Sequence, residues 1–134
     1  MSNVDPDRFY SKEHEWALPD PDEDGVVIVG VSDYAAEQLG DIVMVELPAV
    51  GDTFDQDEPF GTVESPKSVS EVFSPVSGEV IAVNDALEDA PELVNDSPYA
   101  EGWMVKIRLA DDGGMDALMS ATDYEAFLED LEES

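Results

Sequence analysis

The sequence predicts a mainly β fold with short helices: a small β-sandwich or flattened barrel carrying helical additions. Three observations carry the prediction. Gly25 to Val31 (GVVIVGV) is an almost unbroken β-branched run. From there to Leu109, short apolar segments alternate with turn-forming clusters of Gly, Pro, Asp and Ser. From about residue 114 to 131 the apolar spacing becomes helical.

Taken in order, Gly25 to Val31 reads as a buried strand. Ser32 can cap a short helix over Asp33 to Leu39, with Gly40 as its terminator. Ile42 to Leu47 (IVMVEL) is a second strand, stopped by Pro48. Turn signals at Val50-Gly51-Asp52 and Asp57-Glu58-Pro59 precede a strand at Phe60 to Glu64. Ser65-Pro66-Lys67-Ser68 is a tight turn, because proline at its second position presets φ for type I geometry. Val69 to Phe73 returns antiparallel, and Pro75 to Gly78 turns the chain into Glu79 to Val83. Ala86 to Asn95 holds one helical turn around Pro91. Trp103 to Leu109 alternates, with Trp103, Val105, Ile107 and Leu109 on one face and Met104, Lys106 and Arg108 on the other. At the end, Thr122 and Glu125 have capping-box spacing. Tyr124, Phe127, Leu128 and Leu131 then share one helical face. The acid-rich ends, Met1 to Asp7 and Glu129 to Ser134, are expected to fray.

At 134 residues the chain suits a single domain with one modest core, here expected over about residues 24–110. There are 34 Asp and Glu against 5 Lys and Arg, a formal charge of −29. Phosphate binding needs clustered cations, so nucleic acid is a poor partner, and so is an anionic membrane. The acids run along the whole length. That distribution suits a very salty cytoplasm, where a Debye length of about 3 Å at 1 M salt hides surface carboxylates from one another. No cysteine is present, which excludes disulfides, thiolate nucleophiles and cysteine-ligated metals. No signal peptide is visible, and no apolar run is long enough to span a bilayer.

Several local patterns have plain explanations. Asp20 to Gly25 (DPDEDG) opens like a calcium loop, yet the twelfth position, which needs a bidentate Glu, is Val31; a turn explains it better. With so many acids, two close carboxylates say little. His14 is the only histidine and reads as a surface or packing residue beside Trp16. The three lysines are Lys12, Lys67 and Lys106. Lys106 lies on the outward face of a strand and Lys12 has no special setting. Lys67 stands at the tip of a predicted hairpin between small serines. On spacing alone an ordinary turn lysine is the first reading, though the spacing also suits one that carries a cofactor on its flexible stem.

Glu64-Ser65-Pro66-Lys67-Ser68, followed by Ser74 to Val80 (SPVSGEV), resembles the lipoylation region of the H proteins of the glycine cleavage system. Tyr10 to Trp16 (YSKEHEW), Gly30 to Leu47 (GVSDYAAEQLGDIVMVEL) and Asn95 to Ile107 (NDSPYAEGWMVKI) are similar to further blocks of that family, in the same order. The likeness runs from about Phe9 to Leu128.

The resemblance implies a lipoyl-domain-like β-sandwich (a barrel-sandwich hybrid) with N- and C-terminal helical extensions. It implies that Lys67 carries lipoic acid as an amide, placed there by a lipoate-attaching enzyme, and that the chain is a shuttle with no turnover of its own. In the family, the P protein decarboxylates glycine and passes an aminomethyl group to the lipoyl arm. The T protein takes up the one-carbon unit, and the L protein, a dihydrolipoyl dehydrogenase, reoxidises the arm. The family folds the loaded arm into a surface cleft, and the matching positions here are Glu15, Glu71 and Tyr34. This chain differs from many relatives in having Pro66 before the lysine, Glu71 where Asp is common and Tyr34 where some have His. A monomer would suit a carrier that visits several enzymes.

Two rival readings follow from the same residues. A biotin carrier usually has Met on both sides of its lysine, and a 2-oxoacid dehydrogenase lipoyl domain has Asp-Lys-Ala at the tip. Neither pattern occurs here. An unmodified acidic binding module on the same fold is the other alternative.

Overall fold

The computed structural model describes residues 4–110 and 118–133. Nine strands form two antiparallel sheets. The larger has the order β1-β2-β3-β9-β8-β5, from Phe9–Tyr10 (β1), Glu15–Pro19 (β2), Val26–Val31 (β3), Val105–Leu109 (β9), Gly78–Val83 (β8) and Thr53–Phe54 (β5). The smaller has the order β4-β6-β7, from Met44–Glu46 (β4), Pro59–Glu64 (β6) and Val69–Phe73 (β7). Helix α1 (Asp33–Leu39) links β3 to β4, so the chain passes from one sheet to the other through it. Two single-turn helices, α2 (Ala86–Asp89) and α3 (Leu93–Asp96), lie between β8 and β9, and α4 (Ala121–Glu133) ends the chain.

The main core is where the sheets face each other. Val27, Val29 and Val31 from β3, with Val105 and Ile107 from β9, meet Val45, Val63 and Val72 of the smaller sheet. The opposite face of the larger sheet is covered too. Trp16 and Ile28 belong to a second cluster with Tyr10, Tyr99, Trp103 and, from α4, Tyr124 and Leu128. β3 is therefore apolar on both faces, which is why its sequence is continuous rather than alternating. Gly30 is required where β3 passes under Trp16: a Cβ there would meet the indole at 2.7 Å.

The caps of α1 are as expected. Ser32 accepts from the Ala35 N–H, and Gly40 ends the helix at φ 79°. Asp20 to Gly25 is the turn between β2 and β3, closed by Gly25 at φ 78°.

Other expectations are corrected. The N-terminal extension is the strand pair β1–β2, not a helix. Its residues pair with β3 (Trp16 with Gly30, Ala17 with Val29), so Trp16 and Ala17 go to opposite clusters with the period of a strand. Asp5 is held by the Tyr10 hydroxyl, which donates to the Asp5 carbonyl at 2.8 Å, so fraying does not reach that far. The strand expected over Ile42 to Leu47 is ladder-paired only at Met44–Glu46, because the Ile42 N–H goes to the Asn95 side chain. Pro91 separates two helical turns instead of sitting within one. In the last strand, Met104 is buried in the main core while Trp103 joins the second cluster, so the alternation begins only at Val105. The cap of α4 is Ser120, whose hydroxyl accepts from the Asp123 N–H at 3.2 Å, and Thr122 lies inside the helix. The start expected for the helical region, at 114, lies outside the described residues.

Candidate functional site

Strands β6 and β7 form a hairpin in register from Thr62–Glu71 to Glu64–Val69. The four residues beyond close on themselves. The Ser65 N–H donates to the Ser68 carbonyl at 2.9 Å, and the Ser68 N–H donates to Ser65 Oγ at 3.3 Å. Neither Pro66 nor Lys67 has positive φ, as type I geometry requires. Ser65 is buried, whereas Pro66, Lys67 and Ser68 are exposed. Lys67 is thus displayed on a fixed turn, and among the described residues it forms no ion pair.

A hollow of about 440 Å³ opens beside this turn, lined by Ser65, Pro66, Lys67 and residues 37–41 at the end of α1. Gln38 and Leu39 on its floor also line a second cleft, of about 290 Å³, between α1, β2 and β7. The two hollows adjoin along α1, between Lys67 and Glu15.

In the second cleft, Glu15 lies directly across from Val31 on the inward face of the larger sheet. Only 2% of its surface is exposed. One carboxylate oxygen accepts from Ser11 Oγ at 2.6 Å, and the other accepts from the Phe73 N–H of β7 at 3.3 Å, so Glu15 bridges the two sheets. Burial pushes its pKa up to about 7, although both hydrogen bonds act the other way. An acid poised near neutrality in a mostly apolar cleft is suited to receiving a cation.

Glu71 and Tyr34 line the same cleft. Glu71 is exposed at its mouth on β7, and Tyr34 is half-buried on α1. The structure therefore brings Glu15, Glu71 and Tyr34 into one pocket, which shares Gln38 and Leu39 with the hollow beside Lys67. Sequence reasoning missed His14, Gln38 and Leu39. His14 sits at φ 71°, with its ring 4.6 Å from the ring of Tyr34 and its Nδ1 2.8 Å from the Tyr124 hydroxyl. Burial lowers its pKa, which disfavours the charged imidazolium. Its place in the sequence, next to Glu15, was the available signal.

The sequence profile described as Glycine cleavage H-protein matches residues 8–131. The chain belongs to that family. It is 52% identical over 124 residues to the glycine cleavage system H protein of Oceanobacillus iheyensis, covering 92% of this chain and 96% of the relative. It is 53% identical over 124 residues to the probable glycine cleavage system H protein of Natronomonas pharaonis, covering 92% and 95%. The crystal structure of a glycine cleavage system H protein from Mycobacterium marinum superposes with a TM-score of 0.84 at 36% identity, covering 94% of this chain and 99% of that one. Family membership makes the chain a lipoyl carrier of the glycine cleavage system, with lipoate held covalently on a lysine. The family is the carrier component of that system and works with its P, T and L proteins.

Proposed function

We propose that Lys67 is the lipoyl-bearing lysine and that the adjoining hollows between Lys67 and Glu15 form the groove that receives the loaded arm. The observation that carries this is the exposed amine on a closed turn, without an ion pair among the described residues, beside a hollow that adjoins the cleft of a buried carboxylate. The residues fit the group: the Nζ is open to an acyl donor, and the groove leads away from it along α1.

Lipoate on that amine supplies a dithiolane, which takes up the aminomethyl group of glycine and releases it again. The chain's own residues bind and shield. Apolar Val31, Val63, Val72 and Leu39 line the cleft and exclude water from it. Burial favours the protonated form of the Glu15 carboxyl when the cleft is empty. An entering ammonium favours the charged carboxylate, and that proton leaves. Glu71 at the mouth adds a second negative charge. The tyrosine ring of Tyr34 offers a face to the same cation.

This reading makes the chain a single-domain, non-catalytic shuttle over residues 1–134. It accepts the aminomethyl group from the P protein, delivers it to the T protein and is reoxidised by the L protein. The acid load supports a salt-rich cytoplasm as its solvent, and repeated visits to several enzymes favour a monomer. Intact-mass and peptide-mass measurement on protein from its native host tests the site. A lipoyl increment on the peptide containing Lys67, lost in Lys67→Arg while the fold is kept, is the expected result. A biotin increment, no increment or glycine cleavage by Lys67→Arg would overturn it.

A further inference from the structure

The outer face of the β4-β6-β7 sheet is unlike the rest of this acidic surface. Met44, Glu64 and Val69 lie in register across the three strands, hence on one face, and Val45 and Val63 of the adjacent row are buried on the other. Val43, Met44 and Val69 are 55%, 49% and 60% exposed. Half of the six large apolar side chains exposed among the described residues are therefore gathered here. The Val43 N–H bonds the Glu64 carbonyl, which keeps this valine beside the same row. The row spans roughly 10 Å, two strand spacings. Glu64 stands within it, and Glu46 and Glu71 lie two residues further along their strands on the same face. Lys67 is the only cation between Asp41 and Phe73.

We propose that this face is the docking surface for the enzyme that acylates Lys67, and that the enzyme presents to it an apolar ridge flanked by Arg or Lys. The proposal rests on the reading of Lys67 as the modified lysine. Glu64 and Val69 are the last strand pair before the turn. An enzyme that works on Nζ itself must bring its reactive centre to within one lysine stem of that pair. Enzymes that act at the far end of a lipoyl arm are under no such constraint. In the transfer, Nζ attacks the carbonyl carbon of a lipoyl-adenylate. The C–N amide bond forms, the C–O bond to AMP breaks, and the amine gives up a proton. Charge complementarity calls for a basic rim on the enzyme. The apolar centre supplies attraction that survives molar salt, where the rim is screened.

The test uses the unmodified full chain with a purified lipoate ligase, lipoate and ATP. It follows the mass gain with time, and separately the Kd of the unmodified chain for the ligase. Met44→Ser/Val69→Ser is expected to raise Kd and lower kcat/KM for the mass gain at least tenfold. Val43→Ser alone should lower it severalfold, and the distant Val50→Ser should stay within twofold of the parent. Glu64→Lys should weaken binding at the lowest KCl concentration at which both chains are folded, with the loss shrinking by 1 M KCl. Folded Met44→Ser/Val69→Ser and Val43→Ser variants with parental Kd and rate would overturn the docking proposal. If the double variant does not fold, Val43→Ser decides. A parent chain that gains no mass at Lys67 fails the carrier reading itself, a result distinct from equal rates in parent and variants.

Discussion

The Tyr124 hydroxyl lies 2.8 Å from His14 Nδ1 and 2.8 Å from Ser32 Oγ, and so ties the C-terminal helix both to a residue lining the cleft and to the cap of α1. Ser32 caps α1, and its own N–H donates to the His14 carbonyl at 2.8 Å. The Tyr124 ring also stacks on Tyr10 at 4.3 Å with planes 1° apart. Tyr124→Phe keeps that stack and removes only the hydroxyl. It leaves His14 Nδ1 without its partner inside the fold, at a cost of about 1–3 kcal/mol. Urea unfolding in molar KCl should show a loss of that size with an unchanged m-value. No loss would mean that the hydroxyl does not tie the helix down.

Glu15 makes stability depend on pH. Its pKa, pushed up by burial to about 7, lies above the 4.5 of an ordinary glutamate. Below pH 4.5 both folded and unfolded states hold the proton and the group is neutral to stability. As pH rises through 4.5 toward 7, only the unfolded state releases it, so stability falls, and the full penalty is present above 7. The size is about 3 kcal/mol. Glu15→Gln does not titrate, so the difference in unfolding free energy between variant and parent should grow in the variant's favour from pH 4.5 to 7. Molar KCl is needed during the measurement to quiet the other carboxylates. A flat difference would show that the buried carboxyl ionises normally.

The strands that were legible in the sequence are those whose burial is simple. β3 is covered on both faces and reads as an unbroken apolar run. The β6–β7 hairpin is announced by Pro66 and two serines, and α1 by Ser32 and Gly40. β2 was not legible because its inward face carries Glu15, a charged residue in a core position, and because its outward Trp16 is also buried. At α4, Ser120 with Asp123 and Thr122 with Glu125 offer two rival caps two residues apart. Packing decides for the earlier one, since Tyr10 and Met119 exchange backbone hydrogen bonds and fix the chain just before Ser120. Of the site, the turn at Lys67 was visible locally. Gln38, Leu39 and His14 were not, because the cleft exists only where α1, β2 and β7 meet across the two sheets.

Gly78 tests the packing of β8 on β9. A Cβ there would come within 2.1 Å of the Arg108 carbonyl oxygen and 2.6 Å of Ile107 Cγ2. The obstacle is backbone in the middle of a sheet, so it cannot swing aside. Gly78→Ala should destabilise by more than the roughly 1–3 kcal/mol usual for overpacking, or prevent folding. Gly25→Ala meets nothing within 4 Å and suffers only from its φ of 78°, so its loss should be the smaller. Comparable chemical denaturation midpoints for the two variants would contradict this geometry.

Salt should decide whether the chain folds at all in dilute buffer. The formal charge is −29, and few cations offset it: Lys106 pairs with Asp20 at 3.3 Å, and Arg108 reaches Glu23 only at 4.0 Å. Self-repulsion of this kind is strong where the Debye length is about 30 Å, near 0.01 M salt, and nearly gone at 1 M, where it is about 3 Å. Molar salt also strengthens apolar burial when the anion is one excluded from the surface. The melting temperature should therefore rise steeply between 0.01 and 1 M KCl, and flatten as screening is completed. Replacing KCl by sucrose at equal osmolality separates the two effects, since sucrose favours burial without screening. A melting temperature that ignores KCl would remove the reason for reading the acid load as an adaptation to brine.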